Sequence, residues 1–312
     1  MNARATIRLL PDGRRLHLND GPIDLIIGAD GASEEVARAY QAAASRFVTI
    51  LDELCEELPL LRTRASNNSP FPKGQIAGRM SEAVSPYQER CFITPMAAVA
   101  GAVAEAVLAA MTAAAELQRA YVNNGGDIAL HVSPGHSYTV GMIERADTPS
   151  LFGKFDVSPT LPVRGVATSG WRGRSFSLGI ADAVTVLAAS APAADAAATI
   201  VANAVNLPDH PAITRVPARE VSPDSDLLDL PVTRAVGALC AQEIFEALKA
   251  GATVARELQA KGWIHAAAVC LQGQVLLVEP PLDPIELKSA DILPPVVATE
   301  VNNAPSQRNT HA

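Results

Sequence analysis

Asp195, Thr199 and Asn203 fall four residues apart in AADAAATIVANAV, a stretch that is otherwise small and apolar. On a helix that spacing stacks three oxygen-bearing side chains along one face. Carboxylate and hydroxyl oxygens suit a hard cation such as Mg²⁺ or Ca²⁺, whereas the lack of a His or Cys cluster speaks against zinc. The same stripe also fits a polar edge with Asp195 near a helix start after Pro192, where the helix dipole favours negative charge. A second group is Asn123, Asn124, Gly125, Gly126 and Asp127 in YVNNGGDIAL. Glycines open backbone N–H groups to a ligand, and Asp127 adds a carboxylate that could meet a ribose hydroxyl or a metal. The alternative is a bulge or turn whose Asn and Asp bond their own backbone. The third candidate is Glu105, alone in an Ala-rich stretch, where a buried carboxylate needs either an arginine partner or a raised pKa and a catalytic task. Arg164, Arg172 and Arg174 follow, able to grip a carboxylate or phosphate with two parallel N–H bonds, or simply to stay solvated. Ser169, in ATSG, has no base beside it in sequence, and His131 and His136 lack a fixed spacing. No P-loop, GxSxG elbow or GxGxxG fingerprint occurs in the chain.

These residues need elements to hold them. ATIRLL, PDGR and RLHL read as a hairpin, and IDLIIGA as the next strand. Residues 34–58 have apolar positions at helical spacing, followed by the polar loop RTRASNNSPFPKG. PMAAVAGAVAEAVLAAMTAAA, residues 95–115, has the length of a membrane span. Its apolarity is mostly alanine and Glu105 sits at its centre, so a buried helix is the reading, with Thr94 as N-cap and Pro95 at the first helical position. YTVGMIE and RGVATSG read as strands, IADAVTVLAASAP and AADAAATIVANAVN as a pair of small-residue helices. Residues 207–234 read as a Pro-rich connection, 235–260 as a helix, and HAAAVCLQGQVLLV as strand and turn. From residue 292 the chain is polar and reads as a tail.

The 312 residues, 48% apolar and 19% charged, allow a sizeable core. One large α+β domain over residues 1–291 is expected. A net charge of -8 with no run of Lys or Arg argues against nucleic acid and anionic membranes; a small molecule is the expected partner, and a homodimer is left open. Four cysteines without CxxC spacing point to a reduced compartment, read as cytoplasm, and MNARATIRLLPDGRRLHL has no apolar core of a signal peptide.

The order of the pieces adds a resemblance. An Ala-rich helix running into NNGGDI, then GVATSG, then an Ala-Asp-Ala helix with Thr four residues on, resembles the ApbE superfamily of flavin transferases. A side branch of that superfamily is the closer match, through DLIIGAD, TPMAAVAGAVAE, SFSLGIADAVTVLA, ADAAATIVANAV and PDSDLLDLPVT, over most of residues 20–275. The resemblance implies an α+β, T-fold-like architecture of two related lobes, with mixed or antiparallel sheet, Ala-rich helices and a ligand cleft between the lobes. It implies Mg²⁺ on Asp195 and Thr199. Chemistry would fall to Asp127, Glu105 and Thr94, with Thr94 standing where the side branch has glycine before Pro-Met. Substrate would meet Asn124, Gly125, Gly126, Ser169, Arg172 and Arg174. Flavin transferases carry a His-Ile-x-Asp-Pro segment after the Ala-Thr-Ser-Gly strand, whereas WRGRSFSLGIADAVTVLA stands here; FAD is therefore not the expected cofactor. Three readings follow: an enzyme acting on a small anionic metabolite with Mg²⁺, an FAD-dependent FMN transferase, and a non-catalytic small-molecule binder.

Overall fold

The computed structural model describes residues 4–143 and 151–280. The tail expected from residue 292 lies outside the described residues. The chain begins with three antiparallel strands, β1 (Thr6–Leu9), β2 (Leu16–Asp20) and β3 (Ile23–Asp30). Three helices follow: α1 (Ser33–Glu56), the short α2 (Leu58–Leu61) and α3 (Gln75–Val84). A 3-10 turn at Pro95–Ala98 leads into α4 (Val99–Ala114), and then come β4 (Arg119–Asn124) and β5 (Asp127–Val132). The second half holds β6 (Tyr138–Ile143), β7 (Leu151–Val157), β8 (Gly165–Ser169), β9 (Ala183–Ala188) and α5 (Ala191–Ala204). It closes with β10 (Ile213–Pro217), α6 (Ala218–Val221), β11 (Pro231–Val236), α7 (Ala241–Ala260), β12 (Ala266–Leu271) and β13 (Gln274–Val278).

Nine of these strands form one sheet in the order β1-β2-β3-β4-β5-β8-β9-β12-β13, every neighbouring pair antiparallel. The fold is α+β, and its order explains the two related lobes. β2-β3, then α1 and α4, then β4-β5 form one four-stranded half; β8-β9, then α5 and α7, then β12-β13 form the other. The halves share one continuous sheet instead of standing as separate bodies. α1 packs on α4, α4 on α5 and α5 on α7, and their buried residues join the inner strands in one core. A smaller cluster, with Leu130, Val132, Val163 and Val166, lies beside the β6–β7 ribbon.

Two expectations are corrected. Ala183–Ala188, read as part of a helix, is strand β9, with all six residues buried. A strand inside a sheet covered on both faces reads as an unbroken apolar run, and periodicity cannot separate it from a buried helix. The Pro-rich connection 207–234 holds α6 and most of the β10–β11 hairpin, a two-stranded sheet of its own whose second strand runs on to Val236, so the helix read from residue 235 starts only at Ala241. Helix α3 was not anticipated at all.

The Ala-rich segment is a core helix: Ala102, Val103, Ala104, Val107 and Met111 are fully buried. By length and composition alone, Pro95–Ala114 could cross a membrane, with a mean hydropathy of 1.8. Its small side chains serve close packing instead. A Cβ on Gly101 would lie 2.4 Å from the carbonyl oxygen of Ala191, so only glycine lets the start of α4 come this close to the start of α5.

Candidate functional site

The two halves meet along a short ladder. β5 pairs with β8 through Ile128 opposite Val166 and Ala129 opposite Gly165. Beyond it, the Asp127 Oδ1 accepts the N–H of Thr168 at 3.2 Å, so a side chain takes the donor where backbone pairing ends. Asp127 sits there because the chain has just turned. Gly125 (φ 65°) and Gly126 (φ 116°) form the two-residue turn of the β4–β5 hairpin, with Asn124 paired to Asp127. The glycine pair is a turn and not a bulge inside a strand, and the Gly126 N–H is already used, donating to Asn123 Oδ1 at 2.8 Å.

A cleft of about 560 Å³ opens at this seam. Asp127 from β5, Thr168 and Ser169 from β8, and Asp195 and Thr199 from α5 line it together. Asp195 reaches across to α4, where its Oδ2 accepts the N–H of Gly101 at 3.0 Å. Its carboxyl thus meets the N-terminus of a neighbouring helix, not that of its own helix as the sequence allowed. Burial raises the Asp127 carboxyl to about 7 against the hydrogen bond from Thr168. Asp195 is raised by burial first and by the field of Asp127 second, against the hydrogen bonds from Gly101 and Ala100. Among the described residues no Lys, Arg or His forms an ion pair with either carboxylate.

The stripe on α5 therefore divides. Asp195 and Thr199 face the cleft, while Asn203, at its rim, has its Oδ1 taken by the Leu178 N–H at 2.9 Å and the Ser177 hydroxyl at 3.2 Å. Thr94, 2% exposed, also lines the cleft. It stands at the N-cap position of the 3-10 turn without capping it; its hydroxyl donates to Asp226 instead. Asn124 is buried and donates to the Ala100 carbonyl at 3.2 Å, beside the cleft.

The remaining candidates separate. Glu105 is ion-paired with Arg79 and does not line the cleft, so its environment supports the ion pair and not a catalytic task. Arg172 also stays out of the cleft, with its Nε on Asp182 Oδ1 at 2.6 Å and its guanidinium 4.5 Å from the Trp171 ring centre. Arg164 is spent on the carbonyls of Pro159, Leu161 and Val163. Arg174 is the one of the three that reaches the cleft; it donates to the Pro22 carbonyl at 3.1 Å.

Several lining residues were missed by sequence reasoning. Arg62 comes from the end of α2, and Phe92 and Phe176 supply the aromatic surface that Trp171 does not. Ser222, Asp224, Ser225 and Asp226 come from the segment after α6. The acidic SPDSD run was visible, but nothing local in it says which wall it joins. Among the described residues no cluster of three or more His, Cys, Asp or Glu side chains is arranged to hold a metal. Asp127, Asp195 and the Thr199 hydroxyl, with Asp224 and Asp226 on the facing segment, give the cleft an all-oxygen donor set of the type that Mg²⁺ accepts.

The family described as AbpE bacteria matches residues 7–277. A UPF0280 protein of Methanopyrus kandleri is 42% identical over 132 residues, covering 41% of this chain and 48% of the relative. One of Methanosphaerula palustris is 34% identical over 186 residues, covering 59% and 73%. The chain spans about half the length of the relatives from M. kandleri, Methanothermobacter thermautotrophicus and Methanospirillum hungatei. The crystal structure of Pseudomonas stutzeri flavinyl transferase ApbE, apo form, aligns with a TM-score of 0.41 at 13% identity, over 88% of this chain and 93% of that one. The chain belongs to the family described as AbpE bacteria, and UPF0280 proteins are among its relatives.

Proposed function

We propose that the seam cleft is the site of an enzyme acting on a small anionic metabolite, with Mg²⁺ held by Asp127, Asp195 and Thr199. One observation carries this reading: two half-buried carboxylates, one from each half of the fold, line the same cleft, and among the described residues no basic side chain is paired to either. Two such groups repel, and each resists ionisation until a positive charge joins them. A hard cation meets that need, and it supplies a positive centre that can draw in and polarise a phosphate or carboxylate. Arg62 and Arg174, at the edge of the same cleft, fit the remaining negative charge of the substrate. Thr94, fixed by Asp226, presents a hydroxyl inside the cleft and can hold or pass a proton there. The acidic chain and the lack of any disulfide among its four cysteines fit a reducing cytoplasm.

The test is chemical. Small molecules released from the purified protein and identified by mass spectrometry should include an anion that is depleted in Arg174→Gln. Release of only neutral or cationic molecules, or of the same anion in equal amount from the variant, would remove Arg174 and the anion from the account.

A further inference from the structure

The cleft has a second arm, and from it we infer that the substrate is a phosphate monoester carrying an aliphatic chain. This deepens the reading above and rests on its anion site. The second arm, about 540 Å³, runs between α1, α2 and the first half of α4. Leu51, Leu54, Leu58, Leu61, Met96 and Val103 line it. Its size is that of a small-molecule pocket. Asp127, at the junction with the polar arm, is the single carboxylate on its wall, and no aromatic ring lies there among the described residues.

Arg62, Arg174 and Asp127 belong to both arms and mark their common edge. Neither arginine forms an ion pair with a carboxylate among the described residues. Arg174 uses Nη2 on the Pro22 carbonyl, which leaves the rest of its fork for an anion. A wholly polar metabolite would leave the aliphatic wall wet, and a hydrocarbon would leave two guanidinium groups beside it without a counter-charge. A molecule with both parts satisfies the junction. The wall has branched and thioether side chains but no ring to stack on, which selects a flexible chain over a flat ring system. Phosphate is chosen over carboxylate because it can meet the arginines on one side and a cation in the polar arm on the other.

Cys55 gives the test a built-in reporter. It is exposed on α1 and lines the apolar arm, whereas Cys240 is exposed at the start of α7, outside both arms. Alkylation of the full-length wild-type protein by N-ethylmaleimide can be followed at each cysteine by peptide mass spectrometry. Octyl phosphate below its micellar concentration should slow labelling of Cys55 about tenfold or more with Cys240 unchanged, because burial of its chain in the apolar arm adds to the affinity of the phosphate. Octanol and inorganic phosphate at the same concentration should each protect far less, and Arg174→Gln should weaken the protection by octyl phosphate. Equal protection by octanol, equal protection of Cys240, or no protection at all would overturn the proposal. Protection by inorganic phosphate alone as strong as by octyl phosphate would also overturn it while leaving the anion site standing. If octyl phosphate protects but Mg²⁺ has no effect on the protein, the aliphatic phosphate site stands and the metal reading falls.

Discussion

The Asp127 carboxyl, raised by burial to about 7, ties the site to pH. The folded protein holds that proton more tightly than the unfolded chain, whose aspartate titrates near 4. Stability is therefore lost as pH rises from about 4 through about 7, because over that window the unfolded state releases the proton first. Asp195, raised by burial and by Asp127, acts in the same direction. In metal-free buffer Asp127→Asn, which keeps an oxygen for the Thr168 N–H, should match wild type near pH 4 and be the more stable protein near pH 8. Urea unfolding across that range measures it, and a constant difference at all pH values would show that the carboxyl is not destabilised by the fold. Which residues share the cleft was half legible at this scale. Oxygen type and four-residue spacing pointed to Asp195 and Thr199, but only the seam between β5 and β8 brings Asp127 to them. An arginine partner for Glu105 was one of the readings the sequence offered, but which arginine, Arg79, and the pairing of Arg172 with Asp182 are set by packing.

Among the elements, the start of α4 lies against the start of α5 with no room for a side chain at Gly101. Gly101→Ala should destabilise by about 1–3 kcal/mol or more through overpacking, since the added methyl would meet the Ala191 backbone and not a movable side chain. It should also weaken any response to Mg²⁺, because the Gly101 N–H that holds Asp195 would shift. Gly126→Ala differs: nothing lies within 4 Å of the added methyl, and the cost is the strain of φ 116°, about 1–3 kcal/mol. Ligand binding should survive it, and thermal melts with ligand titrations separate the two cases. The elements that were easy to read, such as α1 and the β12–β13 strands, have a clear period or a sharp turn. β9 and the β10–β11 hairpin did not: one is buried on both faces, the other is short, bounded by Pro217 and Pro231 and bulged at Thr214–Arg215.

For the molecule as a whole, the repetition of two strands, two helices and two strands explains why residues far apart in the chain converge on one seam. The order of motifs made that architecture legible, although no repeat is visible in the residues themselves. Phe92 and Phe176 give the cleft some aromatic surface, so the flavin reading merits its own measurement. We expect a colourless protein whose melting temperature does not respond to FAD with Mg²⁺; saturable FAD binding at micromolar concentration would put FMN transfer first. The central claim is that a cation joins the two halves through Asp127 and Asp195. Its most direct test is the melting temperature of wild type, Asp127→Asn and Asp195→Asn during a Mg²⁺ titration at pH 8. Wild type should show a saturable rise, by mass action on the folded state, that both substitutions abolish. An equal rise in all three proteins, or none in wild type, would contradict it.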